Sequence, residues 1–398
     1  MSMNATPSAN RVHIGIFGRR NAGKSSLMNA IAGQQAALVS DVKGTTTDPV
    51  QKAMEILPLG PVVLIDTPGL DDEGELGLLR VKKAKQVMRR CDIALLVIDC
   101  AEGETDEDRT VAAMLAERKI PTLKIWNKAD VRPGFAPEEG MAVSAATGQN
   151  IYELKEALAG LLPKGNGRRL VADLLEPGDT VVLVIPIDEA APKGRLILPQ
   201  QQTIRDVLEA GCSVVACRDT ELKETLGRLG FKPKMVITDS QAFGRVAKDT
   251  PEDILMTSFS ILMARFKGDL RQQVEGAAAL SRLKDGDKVL VSEGCTHHRQ
   301  CGDIGSVKIP NWIRQFTGAQ PVFEFTSGTE FPEEVDGYKL ILHCGGCMLT
   351  EKEIGYRLKT AKEHGVPIVN YGVAIAQMHG ILRRSLQPFP DMLELLEK

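Results

Sequence analysis

Two short stretches near the C-terminus carry the residue types best suited to hold a soft metal centre: Cys295-Thr296-His297-His298 and His343-Cys344-Gly345-Gly346-Cys347. Each follows a short apolar run, Lys288-Val289-Leu290-Val291 and Tyr338-Lys339-Leu340-Ile341-Leu342. Both are therefore expected on loops just past the carboxyl ends of strands, which in a parallel sheet converge on one crevice. Three thiols and up to three imidazoles, far apart in sequence, can then meet around one centre, and thiolates favour zinc or an iron-sulfur cluster. A closed zinc knuckle brings two tight ligand pairs, whereas Cys-x-His with His-Cys-x-x-Cys supplies three thiols and ambiguous histidines. That set suits a cluster with one labile iron; structural zinc and a redox dithiol at Cys344 and Cys347 are the alternatives.

A second constellation lies at the other end. Val12-His13-Ile14-Gly15-Ile16-Phe17 reads as a buried strand running into Gly18-Arg19-Arg20-Asn21-Ala22-Gly23-Lys24-Ser25. This is the G-x-x-x-x-G-K-S phosphate loop in its strand-to-helix context. Backbone N–H groups of Gly18, Asn21, Ala22, Gly23 and the following helix, opened by Ser25 and Ser26, wrap phosphate oxygens where the helix dipole also favours an anion. Lys24 reaches the β- and γ-phosphates, and Ser25 can ligate magnesium.

Guanine specificity is expected from Asn127-Lys128-Ala129-Asp130. The Asp130 carboxylate can accept from both N1–H and the 2-amino group of guanine, neither of which adenine offers. Asn127 supports base and loop, and Ser144-Ala145 can bring a backbone N–H to guanine O6. Between the motifs, Val62-Val63-Leu64-Ile65-Asp66-Thr67-Pro68-Gly69 is an apolar strand ending in a carboxylate and a glycine. Asp66 is expected to hold magnesium through water, and the Gly69 N–H to sense the γ-phosphate. Thr46, in the polar loop Gly44-Thr45-Thr46-Thr47-Asp48, is the expected mobile magnesium ligand. Loss of the γ-phosphate would release both loops.

Asn21-Ala22-Gly23-Lys24-Ser25, Gly44-Thr45-Thr46 and Asp66-Thr67-Pro68-Gly69-Leu70 resemble the Era and MnmE-like branch of translation-factor-class GTPases over residues 11 to about 165. Where Ras-like proteins carry a water-orienting glutamine soon after the glycine, this chain has Leu70, which cannot orient water. The resemblance implies that Asn21 marks a potassium ion beside the phosphates, able to neutralise transition-state charge as an arginine finger does.

The elements that position these groups fall into three expected domains: 11–165 for the nucleotide, 166–272 as a small α/β unit, and 273–398 as a doubly wound α/β thiol domain, after a polar tail at 1–10. The chain of 398 residues is long for one core. Its 43% apolar and 25% charged residues exclude a disordered or fibrous protein. A net charge of -3 with no long basic run signals no dedicated nucleic-acid surface. The N-terminal residues lack a signal-peptide core, and the longest apolar stretches fall short of the ~20 residues that span a bilayer. A cytosolic chain is expected, with its eight cysteines divided between metal ligands and core fillers rather than disulfides. Cys91, Cys100, Cys212 and Cys217 read as fillers and Cys301 as a spare loop thiol. Ile254 to Phe266 reads as core or as a homodimer surface. The segments Val274 to Leu283 and Ala374 to Arg384 each read as one helix.

Cys-x-His, a gap of some forty-five residues and His-Cys-x-x-Cys, combined with this GTPase, resemble the HydF family of iron-iron hydrogenase maturation GTPases along the whole chain. The resemblance implies a dimerisation domain in the middle and a four-iron four-sulfur cluster on Cys295, Cys344 and Cys347, with His297 and His343 as motif histidines and possible fourth ligands. It also implies a scaffold or carrier role for the di-iron subcluster precursor, with the radical-SAM maturases HydE and HydG and the apo-hydrogenase as partners. An RNA- or ribosome-associated GTPase with structural zinc is the rival reading; it shares the nucleotide half and differs in the thiols.

Overall fold

The computed structural model describes residues 8–33, 49–57, 59–69, 75–162, 167–187, 196–294, 303–328 and 330–396. Thr46, Leu70, Cys295, His297, His298 and Cys301 lie outside these described residues. The chain forms two compact units, Met1–Asn166 and Gly167–Lys398.

In the first unit six strands, β1 (Val12–Phe17), β2 (Val50–Ile56), β3 (Gly60–Asp66), β4 (Ile93–Asp99), β5 (Thr122–Asn127) and β6 (Met141–Ala142), form one sheet in the order β2-β3-β1-β4-β5-β6. Only the β2–β3 pair is antiparallel. Both faces are covered, as the apolar runs of β1, β3 and β4 require. Ile14, Ile16, Leu95 and Val97 pack with Leu27, Ile31, Leu154 and Leu158 on one side. Phe17, Ala94, Leu96 and Ile98 pack with Val87, Met88 and Leu115 on the other.

The second unit holds two four-stranded, all-parallel sheets. The first comprises β7 (Thr180–Val184), β8 (Ser213–Cys217), β9 (Met235–Thr238) and β10 (Leu255–Ser258), in the order β10-β9-β7-β8. The other comprises β11 (Lys288–Ser292), β12 (Val322–Thr326), β13 (Leu340–His343) and β14 (Ile368–Asn370), in the order β12-β11-β13-β14. The two orders are the same: second, first, third, fourth. Each sheet therefore reverses winding direction between its first and third strands, and that reversal opens a crevice at their carboxyl ends. Residues 166–272 and 273–398, read from the sequence as separate domains, contribute side chains to one hydrophobic cluster, with Val182, Leu183 and Ile261 packing in the same core as Leu340, Leu342 and Val369.

Ile254 to Phe266 is core of its own chain: β10 leads into the helix Phe259–Lys267, and Met256, Phe259, Ile261, Leu262 and Met263 are buried. The segment expected as one helix from Ala374 to Arg384 is two. Asn370 caps the first, its side chain accepting from the Val373 N–H, so helix begins at Tyr371 and runs to Met378. Gly380, at φ +70°, turns the chain before the second, Leu382–Ser385; a left-handed residue ends a helix readily when it is glycine. The helix expected at Val274 to Leu283 starts earlier, at Leu270, because Asp269 accepts from the Gln272 N–H as its cap. Among the described residues no helix is long and apolar enough to cross a membrane.

Candidate functional site: a nucleotide pocket and a thiol crevice

β1 delivers the phosphate loop. Gly18 leaves the strand at φ +139°, and a Cβ there would lie 2.3 Å from the Val97 carbonyl oxygen, so only glycine fits against β4. Asn21 and Gly23 follow at φ +62° and +88°. With these turns the loop closes over Lys24, which is buried and donates from Nζ to the Arg19 carbonyl at 2.7 Å. Ser25 and Ser26 open the helix Lys24–Ala32 on its exposed side.

β3 runs parallel to β1 with Ile16 opposite Asp66, which brings this carboxylate beneath the loop. Ser25 donates its hydroxyl to Asp66 Oδ2 at 2.5 Å. Asp66 Oδ1 is buried and has no hydrogen-bond partner among the described residues. Burial raises the carboxyl pKa, while the Ser25 hydroxyl and Lys24 ammonium pull it back down. A buried carboxylate oxygen left over beside a serine hydroxyl is the donor set expected for magnesium. Thr67 locks the strand end by donating to the Ile16 carbonyl at 2.6 Å, and Gly69 ends the described stretch beyond it.

Asn127, at the end of β5, is the keystone between the two nucleotide motifs. Its amide donates to the Ala22 carbonyl at 3.0 Å and its oxygen accepts from the Ala145 N–H at 3.1 Å. Lys128 stands at φ +64° and pairs with Asp99 Oδ2 at 2.6 Å. Asp130 is exposed, with Oδ1 accepting from the Ser144 hydroxyl at 2.5 Å. The serine therefore acts through its side chain: its own N–H is taken by the Gln149 carbonyl at 3.1 Å. The sequence motif did not reveal this orienting role.

The Cys344–Cys347 loop follows β13, whose neighbour in register is β11, with Ser292 opposite His343. Beyond the strands the pairing continues: Cys344 N–H donates to the Ser292 carbonyl at 3.2 Å, and Gly294 N–H donates to Cys344 Sγ at 3.0 Å. Gly294 directly precedes Cys295, and a Cβ on it would lie 2.6 Å from Leu349 Cγ. Cys344 and Cys347 are free, half-buried thiols. Burial pushes the Cys347 thiol up, the charge of Cys344 adds to the effect and Lys267 opposes it. Gly346 turns the loop at φ +65°. Soft sulfur donors, one already holding an amide N–H of the kind that tunes cluster sulfurs, fit a thiophilic centre. Among the described residues no three metal-binding side chains converge.

Lys267 and His343 flank this crevice differently. Lys267, the last residue of its helix, donates from Nζ to the carbonyls of Gly346, Cys347 and Leu349 at 3.1, 3.3 and 2.9 Å. Burial lowers its pKa to about 8, the thiols of Cys347 and Cys344 opposing the shift. It sits 79 residues from Gly346, so no local pattern announces it. Along β13, Leu340 and Leu342 belong to the large shared core, while Ile341 packs with Ile354 and Leu358 of the helix Glu351–Glu363. Side chains alternate along a strand, so His343 shares the face of Ile341 and Cys344 faces the other way. The imidazole is fully buried, and burial together with the Arg357 guanidinium lowers its pKa to about 3.

The other described thiols behave as packing. Cys91 and Cys100 are completely buried, and Cys100 Sγ donates to the Lys128 carbonyl at 3.0 Å. Cys212 lies just before β8 and donates to the Glu176 carbonyl at 3.0 Å; Cys217 ends that strand.

Comparison with known proteins agrees with this geometry. Residues 13–128 match the family described as 50S ribosome-binding GTPase, residues 170–268 the hydrogen maturase F dimerization domain, and residues 271–388 the hydrogen maturase F tetramerization domain. The tRNA modification GTPase MnmE of Synechococcus sp. (strain JA-3-3Ab) is 39% identical over 163 residues, 39% of this chain and 34% of that protein. GTPase Der of Wolinella succinogenes is 36% identical over 165 residues, 37% of this chain and 35% of that protein. The chain thus spans about a third of the length of these curated relatives. Among solved structures, Aquifex aeolicus Era bound to GDP and aluminium fluoride aligns at TM-score 0.33 and 20% identity, covering 59% of this chain and 97% of that one. The G domain of the T. maritima FeoB iron transporter aligns at 0.32 and 21%, covering 38% and 99%. With a GTPase domain that takes GTP and magnesium, followed by both hydrogen maturase F domains, the chain belongs to the hydrogen maturase F (HydF) family of hydrogenase maturation GTPases.

Proposed function

We propose that this protein is a GTP-hydrolysing scaffold that binds a four-iron four-sulfur cluster through Cys295, Cys344 and Cys347, and that it assembles or delivers the di-iron subcluster precursor to apo iron-iron hydrogenase. The observation that carries the reading is the 3.0 Å hydrogen bond from Gly294 N–H to Cys344 Sγ. It draws the chain immediately before Cys295 against the thiol that follows β13, at the winding reversal of a parallel sheet where ligands are usually received. When bound, the cluster supplies an electron-storing centre and one iron with an exchangeable ligand. The chain's own residues do the rest: three thiolates anchor, the glycines of the Cys344–Cys347 loop allow close approach, and Gly294 N–H donates to sulfur. His297 is the imidazole we assign to the exchangeable position, since His343 faces the helix Glu351–Glu363.

In the nucleotide domain, Lys24, Ser25, Thr46, Asp66 and Gly69 serve hydrolysis, with Ser25 and Thr46 on magnesium. Asn21 holds potassium in the place an arginine finger takes elsewhere. The partners in this reading are a second copy of the chain, the maturases HydE and HydG, and the apo-hydrogenase, all in the cytosol.

The test is the metal content and EPR spectrum of anaerobically purified protein, with Cys295→Ser, Cys344→Ser and Cys347→Ser beside it. Iron and sulfide in the native protein, lost in each variant while GTP hydrolysis persists, is the expected result. Stoichiometric zinc, or a normal cluster in all three variants, would replace the scaffold with a GTPase carrying a zinc-stabilised domain.

A further inference from the structure

We infer that Lys267 is a positioning residue of the thiol crevice, a fixed buried cation that holds the Cys344–Cys347 loop and balances the negative charge of its thiolates. The inference rests on the cluster reading above.

Lys267 is 4% exposed, and a buried ammonium is costly unless it is paired or fully hydrogen-bonded. Its Nζ meets three carbonyl oxygens, those of Gly346, Cys347 and Leu349. An ammonium has three N–H donors where a neutral amine has two, so this cage is built for the charged form. None of the salt bridges formed by the described residues involves Lys267, and its only hydrogen-bond partners there are these three carbonyls.

A lysine in the last turn of a helix commonly serves its own helix carbonyls. This one leaves its helix, Phe259–Lys267, and crosses to a loop nearly eighty residues away. Negative charge acts on it from Cys347 and Cys344 first and, after them, from the Glu351 carboxylate. Three thiolates around a cluster leave net negative charge, which grows by one on reduction. A fixed cation alongside favours the reduced form and holds the loop in the ligating shape. Lys267 also lies within the last residues of the stretch matched by the dimerisation model, so it ties that part of the chain to the thiol loop.

The test uses the full-length protein reconstituted anaerobically with iron and sulfide, as native chain and as Lys267→Arg, Lys267→Gln and Lys267→Met. Iron and sulfide content, an EPR-monitored redox titration and GTP hydrolysis are read on each. Lys267→Arg is expected to keep both iron and potential. Lys267→Gln and Lys267→Met are expected either to lose iron at unchanged GTP hydrolysis or to shift the reduction equilibrium about tenfold toward the oxidised form, 59 mV more negative for one electron. Iron retained at the native potential in Gln and Met overturns the inference. So does equal iron loss in all three, which would mean packing rather than charge. A native chain that takes up no iron instead overturns the cluster reading itself, and that is seen before any variant is measured.

Discussion

Asn127 and Ala22, 105 residues apart, are joined by a 3.0 Å hydrogen bond from the asparagine amide to the alanine carbonyl. The bond clamps the end of β5 to the phosphate loop, and the other half of the same amide holds Ala145. Asn127→Ala removes both contacts and leaves a buried carbonyl unsatisfied, at about 1–3 kcal/mol. GTP affinity is expected to fall about tenfold to a hundredfold by calorimetric titration, with thermal stability reduced as well. Native affinity in the variant would mean that the two loops are set independently.

Asp130 presents a carboxylate held by the Ser144 hydroxyl. Asp130→Asn is expected to weaken GTP and to favour xanthosine triphosphate, whose 2-oxo group accepts where guanine donates. Ser144→Ala, freeing the carboxylate, should give a milder loss of about 1 kcal/mol with unchanged base preference. Equal turnover of GTP by native and Asp130→Asn protein sinks the assignment.

Asn21 stands at φ +62° in the phosphate loop, and Leu70 follows Gly69, near where Ras-like proteins carry a water-orienting glutamine. Hydrolysis is expected to be slow in sodium and faster in potassium at constant ionic strength, and Asn21→Ala should abolish the difference. Equal rates for the native chain in the two salts remove Asn21 from the site.

Gly346 holds φ +65°, and a Cβ on it would lie 2.5 Å from Ile354 Cδ1. Gly346→Val combines a backbone conformation that β-branched residues avoid with a clash against the core. Reconstituted iron is expected to drop at least twofold while GTP hydrolysis stays within the native range. Full iron content in the variant would mean that loop shape does not govern cluster retention.

His343 and Cys344 face opposite sides of β13. His343→Leu is therefore expected to keep the iron and leave the EPR line shape unchanged. His297→Ala should instead alter the signal and its response to added imidazole. The reverse pattern would make His343 the exchangeable ligand.

How much of this was legible in the sequence follows the range of each interaction. The phosphate loop, the Asn127–Asp130 motif and the two thiol loops are local patterns in which a strand, a turn and a helix start dictate the chemistry within a few residues. These alone pointed to a GTPase joined to a thiol-bearing part of the chain, and strand-then-loop placement put Cys344 just past the end of β13. The sequence reading ended β13 at Leu342, whereas the strand continues through His343. That single residue decides which face the imidazole takes, because side chains on a strand alternate with a period of two. What only the tertiary structure decided are the contacts between distant segments: Asn127 on Ala22, Ser144 on Asp130, Gly294 on Cys344 and Lys267 on the thiol loop. Such contacts follow from the order in which strands pair and the direction each connecting helix takes. That order is set by burial summed over a whole sheet, which no short stretch of residues carries.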